Sequence, residues 1–275
     1  MKKFLALVLA SLMVFAFVAC GGTGKDNNGA SDASNASNAS DTSDTTEKET
    51  LVMATNATFP PYEFKEGDSF AGIDVEIAGK IAEKLGMTLE IKDVEFGSII
   101  GGVQTGKFDI GMAGMTVTDE RLKSVNFSDS YATGIQVVIV KEDSAIKSLD
   151  DLKGDGSMKF GVQQDTTGDI YASDTVENGG YGKDNVVRYK TGADAVQALK
   201  TGKVDAVIID NEPAKNFVKA NEGLSILNGD WVKENYAIAI AKENTELLEK
   251  VNGALKELIA DGTVKAIIDK YIPAE

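Results

Sequence analysis

The chain of 275 residues contains no histidine. That absence excludes imidazole acid–base catalysis, histidine-dependent triads and histidine-ligated metal sites. Cysteine occurs once, at Cys20, so no internal disulfide can form. Cations are scarce relative to anions: 28 Lys plus Arg stand against 43 Asp plus Glu, a net charge of −15. A phosphate backbone or an anionic lipid surface would repel such a chain, so no nucleic-acid partner is expected. Proline is limited to four residues, two of them adjacent at Pro60-Pro61. That pair must sit in irregular backbone, because proline lacks an N–H and restrains the residue before it.

A mostly apolar run from Phe4 to Ala19 follows Lys2 and Lys3. A basic start, an apolar stretch and small residues at its end read as an export signal. The run is short of the roughly 20 apolar residues of a membrane span. Phe17-Val18-Ala19-Cys20 resembles a bacterial lipobox, with Phe17 where leucine is usual. The resemblance implies a leader over 1–20 and a lipidated Cys20 that becomes the new N-terminus. From Gly21 to Thr50 the chain is dominated by Gly, Ser, Asn, Asp, Thr and Ala, with no aromatic or branched aliphatic residue. Such a stretch cannot bury enough apolar surface to offset its ordering entropy, so a disordered linker is expected over 21–50. Asn35-Ala36-Ser37 and Asn38-Ala39-Ser40 match the glycosylation pattern, but in a bacterial lipoprotein a polar spacer is the preferred reading. Two or three acyl chains would hold the protein stably on the outer face of the cell membrane, with no other membrane contact.

The remaining chain is long enough for one large domain or two modest lobes. Leu51–Thr55 reads as a strand. Ile73, Ile77, Ile81 and Leu85 recur every fourth residue and predict an amphipathic helix ended by Gly86. A strand begins at Leu89 and Ile91. A helix through Ile99, Ile100 and Val103 stops at Gly106, and Phe108–Met112 is the next strand. Strands alternating with helices predict an α/β architecture with parallel sheets. Thr105-Gly106-Lys107-Phe108-Asp109-Ile110 is echoed 96 residues later by Thr201-Gly202-Lys203-Val204-Asp205-Ala206. The offset is domain-sized and suggests one such unit in each of two lobes, although short helix–turn–strand units also converge. Gln136–Val140 could carry the chain out of a first lobe, and Tyr236–Ala241 could bring it back. Final helices are expected over Glu246–Ala260 and Val264–Ile272.

Four segments carry a family likeness: Ala54–Phe64, Gly72–Ile77, Ala113–Arg121 followed by Phe127-Ser128, and Val204–Asp210. In this order and spacing they resemble the family 3 extracellular solute-binding proteins, the polar amino acid receptors of ABC importers, from Leu51 to about Ile272. The resemblance implies a two-lobed α/β fold of the type II periplasmic-binding-protein class, two parallel-sheet lobes joined by a two-strand hinge. Lobe 1 would comprise 51–133 plus 236–275, and lobe 2 would comprise 134–235. It implies a monomer that captures a polar L-amino acid between the lobes, delivers it to an ABC permease, needs no cofactor and performs no chemistry. The alternative is an enzyme on the same fold, dehydratase-like, for which a carboxylate such as Glu63 would serve as acid or base.

The implied site meets the chemistry of a zwitterion. Arg121 matches the carboxylate clamp, since a guanidinium makes a two-pronged charge-assisted bond. Thr118 looks like the N-cap of a helix opening beside it. The Thr116 N–H and Thr167 match further carboxylate donors. Asp210, the Gly114 carbonyl and the Thr116 hydroxyl match acceptors for the ammonium. Asp210 also suits a helix cap before Glu212-Pro213, and Asp74 either caps a helix or supports Arg121. Asn56, Phe59, Phe96 and Gln163 match the surround of the ligand side chain, with the two aromatics placed to sandwich it. Receptors for basic amino acids often carry an acid where Asn56 stands. Neutral Asn56 and Gln163 favour a neutral ligand, whereas Asp165 would suit a cationic one or face water, so neutral polar, cystine and basic ligands stay open.

Overall fold

The computed structural model describes residues 49–153, 156–229 and 231–273. The expected leader, Cys20 and the linker as far as Lys48 lie outside them. The fold starts earlier than the sequence suggested. The Glu49 carbonyl accepts the Thr88 N–H at 2.8 Å, and Thr50 already pairs with Thr88.

Two sheets organise two lobes. In the first, five strands lie in the order Thr88–Asp93, Thr50–Thr55, Ile110–Gly111, Ala239–Ala241, Val125–Phe127. The first three run parallel, while Ala239–Ala241 is antiparallel to both its neighbours. In the second sheet, Val186–Tyr189, Phe160–Gln163 and Ala206–Asp210 run parallel. The long strand Ala132–Lys141 is antiparallel to Ala206–Asp210, Leu224–Ile226 and Val232–Tyr236. The expectation of parallel-sheet lobes is therefore corrected to mixed sheets within the α/β two-lobed fold. Parallel neighbours require a crossover, usually a helix. The strands Ala132–Lys141 and Ala239–Ala241 are reached by passing between sheets, so nothing obliges them to run parallel.

The return strand expected at Tyr236–Ala241 is two strands, Val232–Tyr236 and Ala239–Ala241, on different sheets. Ala237 and Ile238 make the passage between them. They run beside the outgoing passage: Ser128 N–H donates to the Ile238 carbonyl at 2.9 Å, and Ile238 N–H donates to Ser128 Oγ at 3.0 Å.

The predicted apolar stripe forms the helix Ile73–Lys84, burying Ile73, Ile77 and Ile81 against Leu51, Met53 and Ile110 of the first sheet. Gly86, at φ +70°, ends it. Fully burying each of these isoleucines contributes about 1.5–3 kcal/mol. The expected strand over Phe108–Met112 is only Ile110–Gly111. The final helices are Thr245–Ala260 and Thr263–Tyr271.

The sequence echo is a structural repeat. Helices Ile99–Gln104 and Gly192–Lys200 end at Gly106 and Gly202, at φ +71° and +72°. Lys107 N–H reaches back to the Gly102 carbonyl and Lys203 N–H to the Ala198 carbonyl, both at 2.9 Å, closing the same C-terminal cap. The following aspartates then do the same work. Asp109 Oδ2 accepts the Val52 N–H at 2.7 Å, and Asp205 Oδ2 accepts the Lys159 N–H at 2.8 Å. Each thereby ties its helix–strand unit to the neighbouring parallel strand of its own sheet.

Candidate functional site

Parallel strands of both sheets deliver polar residues at their carboxyl ends, where open α/β sheets bind ligands. Asn56 follows Thr50–Thr55, while Gln163 and Asp210 end Phe160–Gln163 and Ala206–Asp210. Gly114 and Thr116 follow Ile110–Gly111, and Thr167 opens the helix Thr167–Ser173. The structure brings together all nine residues singled out from the sequence. Asn56, Phe59, Phe96, Gly114, Thr116, Arg121, Gln163, Thr167 and Asp210 line one cavity, joined by Glu63, Ala113 and Thr166.

Arg121 is the only guanidinium on this lining and is 9% exposed. Its Nη1 donates to the Thr116 carbonyl at 2.8 Å, and Nη2 donates to the Asp165 carbonyl at 3.1 Å. These use two of the five N–H groups of a guanidinium. Burial pulls its pKa down, opposed first by Glu234 and then by Asp210, so the cation sits in a pocket of compensating charge. The Phe96 ring lies under the guanidinium, 5.3 Å from its centroid to Cζ. Phe96 therefore orients the arginine, a contact not foreseen when it was paired with Phe59. Phe59 stacks on Tyr62 at 6.2 Å. The helix expected at Thr118 is a single tight turn, Arg121–Lys123, although the Arg121 N–H does donate to Thr118 Oγ1 at 3.2 Å. One turn carries little helix dipole. The attraction for an anion therefore rests on the guanidinium itself.

Asp210 occupies the N-cap position of the helix Asn211–Ala220, but its side chain makes no capping bond. It is aimed instead at the cavity and at Tyr236, whose hydroxyl donates to Oδ1. Burial, and then the neighbouring Glu234 carboxylate, push the Asp210 pKa up to about 7. A cation placed here would relieve both penalties.

The neutral pair is already engaged across the cleft. Gln163 Nε2 donates to Asn56 Oδ1 at 2.9 Å, while Asn56 Nδ2 donates to the Val94 carbonyl at 2.8 Å. With Arg121 and Asp165, this is a second hydrogen bond between the lining contributed by the first sheet and that contributed by the second.

Several participants escaped the sequence reading, and Asp165 and Asp74 take roles it did not give them. Asp165 lies in the left-handed region at φ +65°, which is uncommon for a residue with a Cβ. That conformation points its carbonyl at Arg121. Tyr236 was treated only as a strand residue, yet it is fully buried and stacks edge-on against Tyr62 at 5.1 Å. Gly134 makes room for it, since a Cβ there would overlap the Tyr236 ring and hydroxyl. Glu234, 5% exposed, accepts from Gln136 Nε2 at 2.9 Å, and Gln136 also reaches Thr167 Oγ1 at 3.4 Å. Asp74 carries neither role foreseen for it. Its Oδ2 accepts the Gly114 N–H at 2.8 Å and so holds the loop that bears Gly114 and Thr116. A polar residue inside a strand gives no sequence signal of facing a site, which is why Glu234 and Tyr236 passed unnoticed.

Comparison with known proteins accords with this geometry. Residues 51–274 match the family described as bacterial extracellular solute-binding proteins, family 3. The chain is 34% identical over its full length, and over the full length of the relative, to the arginine-binding extracellular protein ArtP of Bacillus subtilis (strain 168). Among solved structures, an ancestral arginine-binding protein bound to glutamine is 41% identical, with a TM-score of 0.74 over 82% of this chain and 99% of that one. The ancestral amino acid-binding protein AncCDT-1, a precursor of cyclohexadienyl dehydratase, is 34% identical, with a TM-score of 0.73 over 81% of this chain and 95% of that one. With a mixed-sheet two-lobed fold, a polar cavity at the strand ends and a family match across the whole described domain, the chain belongs to the bacterial extracellular solute-binding proteins, family 3.

Proposed function

We propose that the protein captures a polar L-amino acid in this cavity and hands it to an ABC permease. The observation that carries the reading is the opposition of Arg121 and Asp210 within one enclosed lining. The guanidinium offers a forked donor to the α-carboxylate, with the Thr116 and Thr167 N–H groups beside it. Asp210, the Gly114 carbonyl and the Thr116 hydroxyl receive the ammonium. Arg121 follows the first sheet and Asp210 ends a strand of the second, so one ligand touches both lobes and favours their closed arrangement. The lobe bounds expected at 51–133 plus 236–275 and 134–235 shift slightly, since Ala132, Thr133 and Tyr236 all pair in the second sheet and Thr50 in the first, and the ligand leaves chemically unchanged.

The shared and variable parts of the ligand meet different residues. Asp210→Asn should weaken every amino acid alike. Asn56→Asp should shift preference toward lysine and arginine by about 1–3 kcal/mol. Calorimetric titration of glutamine, arginine and cystine into both variants checks this. Equal scaling of all three by Asn56→Asp, or an effect of Asp210→Asn on one ligand alone, would overturn the assignment. Binding of none of the twenty amino acids or cystine by the unaltered protein would overturn the function itself.

The same reading makes Cys20 a lipid anchor, with a monomeric receptor tethered on the outer face of the membrane by the linker between Cys20 and the start of the fold at Glu49. Cys20→Ala should release the protein from the membrane fraction and leave its ligand affinity as it was. A variant that stays membrane-bound argues against the anchor.

A further inference from the structure

At the edge of the cavity, where Glu63 lines it, lies a group of polar atoms that the ligand contacts proposed above do not use. Glu63 and Asp74 are 1% and 0% exposed. Glu63 Oε2 and Asp74 Oδ1 are buried, and the buried Tyr131 hydroxyl faces Asp74 as a second donor beside Glu63. The backbone forces the two acids together. Gly72, at φ +123°, lets the helix Ile73–Lys84 begin hard against the Pro61-Tyr62 segment, where any Cβ would overlap the Tyr62 carbonyl oxygen. Ile73 N–H then donates to the Pro61 carbonyl at 3.1 Å and Asp74 N–H to the Tyr62 carbonyl at 2.9 Å. Asp74 is thereby seated next to Glu63, the residue after Tyr62.

The titratable groups facing this pair are Tyr62, Tyr131 and Asp210, so none of them is a cation. Two carboxylates in contact, out of water and without a counter-ion, cannot both remain charged. A protonated carboxyl is the one form of either side chain that can donate. Asp74 is the better anion, because its other oxygen already accepts the Gly114 N–H. We propose that Glu63 is the neutral acid of a carboxyl–carboxylate pair and donates its proton to Asp74, making Glu63 a positioning residue that fixes the Gly114 loop against the ligand.

The electrostatics point the same way. Burial, and then the Asp74 charge, hold the Glu63 pKa well above its ordinary value, and the bond between them raises Glu63 further, while Asp74 is lowered first by the Gly114 N–H, then by the Tyr131 hydroxyl and then by Glu63. Burial still leaves Asp74 raised, to about 6. The ligand contact rests on the function proposed above, since Gly114 matters only if its carbonyl meets an ammonium. The proton itself can be read without any ligand.

The sign of the pH effect follows from the raised folded-state pKa. The stabilisation is complete below the unfolded value of 4.5 and is lost as pH rises through the folded value. Infrared spectroscopy of the ligand-free protein at neutral pH should show protonated-carboxyl absorption that drops in Glu63→Gln, with the part due to Asp210, at about 7, remaining. The glutamine amide is a permanent donor, so the fall of melting temperature with rising pH above 4.5 should be shallower in that variant. Asp74 and Asp210, at about 6 and about 7, contribute the slope that remains. An unchanged band with an unchanged slope in Glu63→Gln overturns the proposal. If that variant does not fold, carbon-13 NMR titration of the glutamate carboxyls in the unaltered protein decides instead. A buried glutamate still protonated near neutral pH supports the pair, and titration of every glutamate near 4.5 overturns it. Failure of amino acid binding with the band present would sink the proposed function and leave the proton pair standing.

Discussion

Arg121→Ala should abolish useful binding of every amino acid ligand. The substitution removes the forked donor for the α-carboxylate, which all such ligands share. It leaves the Thr116 carbonyl without its 2.8 Å donor and cuts the 3.1 Å bond to Asp165 that spans the cleft. Deleting one partner of a buried, hydrogen-bonded charge pair costs about 2–5 kcal/mol, roughly thirtyfold to a few thousandfold in affinity. Arg121→Lys should recover little of it. A lysine ammonium is a point charge that cannot serve two carbonyls and a carboxylate in one plane, and it loses the flat face that rests on Phe96. Calorimetry at one pH and salt concentration measures both variants. Affinity within threefold of the unaltered protein would remove Arg121 from the site.

Gly72→Ala should cost more stability than any other alanine substitution at a glycine of the first-lobe helices. At φ +123° a side chain is strained, and the new Cβ would meet backbone, the Tyr62 carbonyl oxygen and carbon and the Pro61 carbonyl oxygen, none of which can turn aside. A loss of about 3 kcal/mol or more is expected, with a fall of about 6–12 °C in melting temperature for a domain of this size. The helix start would shift away from Tyr62, carrying Asp74 from Gly114, so ligand affinity should fall with stability. Gly79→Ala in the middle of the same helix is the contrast. Nothing lies within 4 Å of a Cβ there, and alanine should stabilise the helix by about 0.5–1 kcal/mol. Equal melting temperatures for the two variants would show that the Gly72 conformation does not constrain the fold.

Wherever the signal was periodic or local, the sequence alone was sufficient. The four-residue recurrence of Ile73, Ile77 and Ile81 gives a buried helix face because 3.6 residues per turn leaves no other arrangement. The Thr-Gly-Lys echoes became two identical helix caps because only glycine takes the left-handed position cheaply. The residues of the cavity were legible for a different reason. Most lie in or soon after a strand end, while Arg121 opens the turn before the strand Val125–Phe127, and all were found from motif and family likeness.

What the sequence left undecided depends on contacts between segments far apart in the chain. Strand direction at Ala132–Lys141 and Ala239–Ala241 depends on which partner each meets after passing between sheets, and residue pattern carries no arrow. The tyrosine that donates to Asp210 lies 26 residues away, and only the space above Gly134 admits its ring. Asn56, read as a contact for the ligand, is bonded to Gln163 from 107 residues away. The meeting of Glu63 and Asp74 was equally hidden. Taken one at a time, Glu63 reads as an acid or base for an enzyme and Asp74 as a helix cap or a support for Arg121. Burial and the absence of a counter-ion turn them into a pair that must share a proton, and those are properties of the packed interior rather than of the chain.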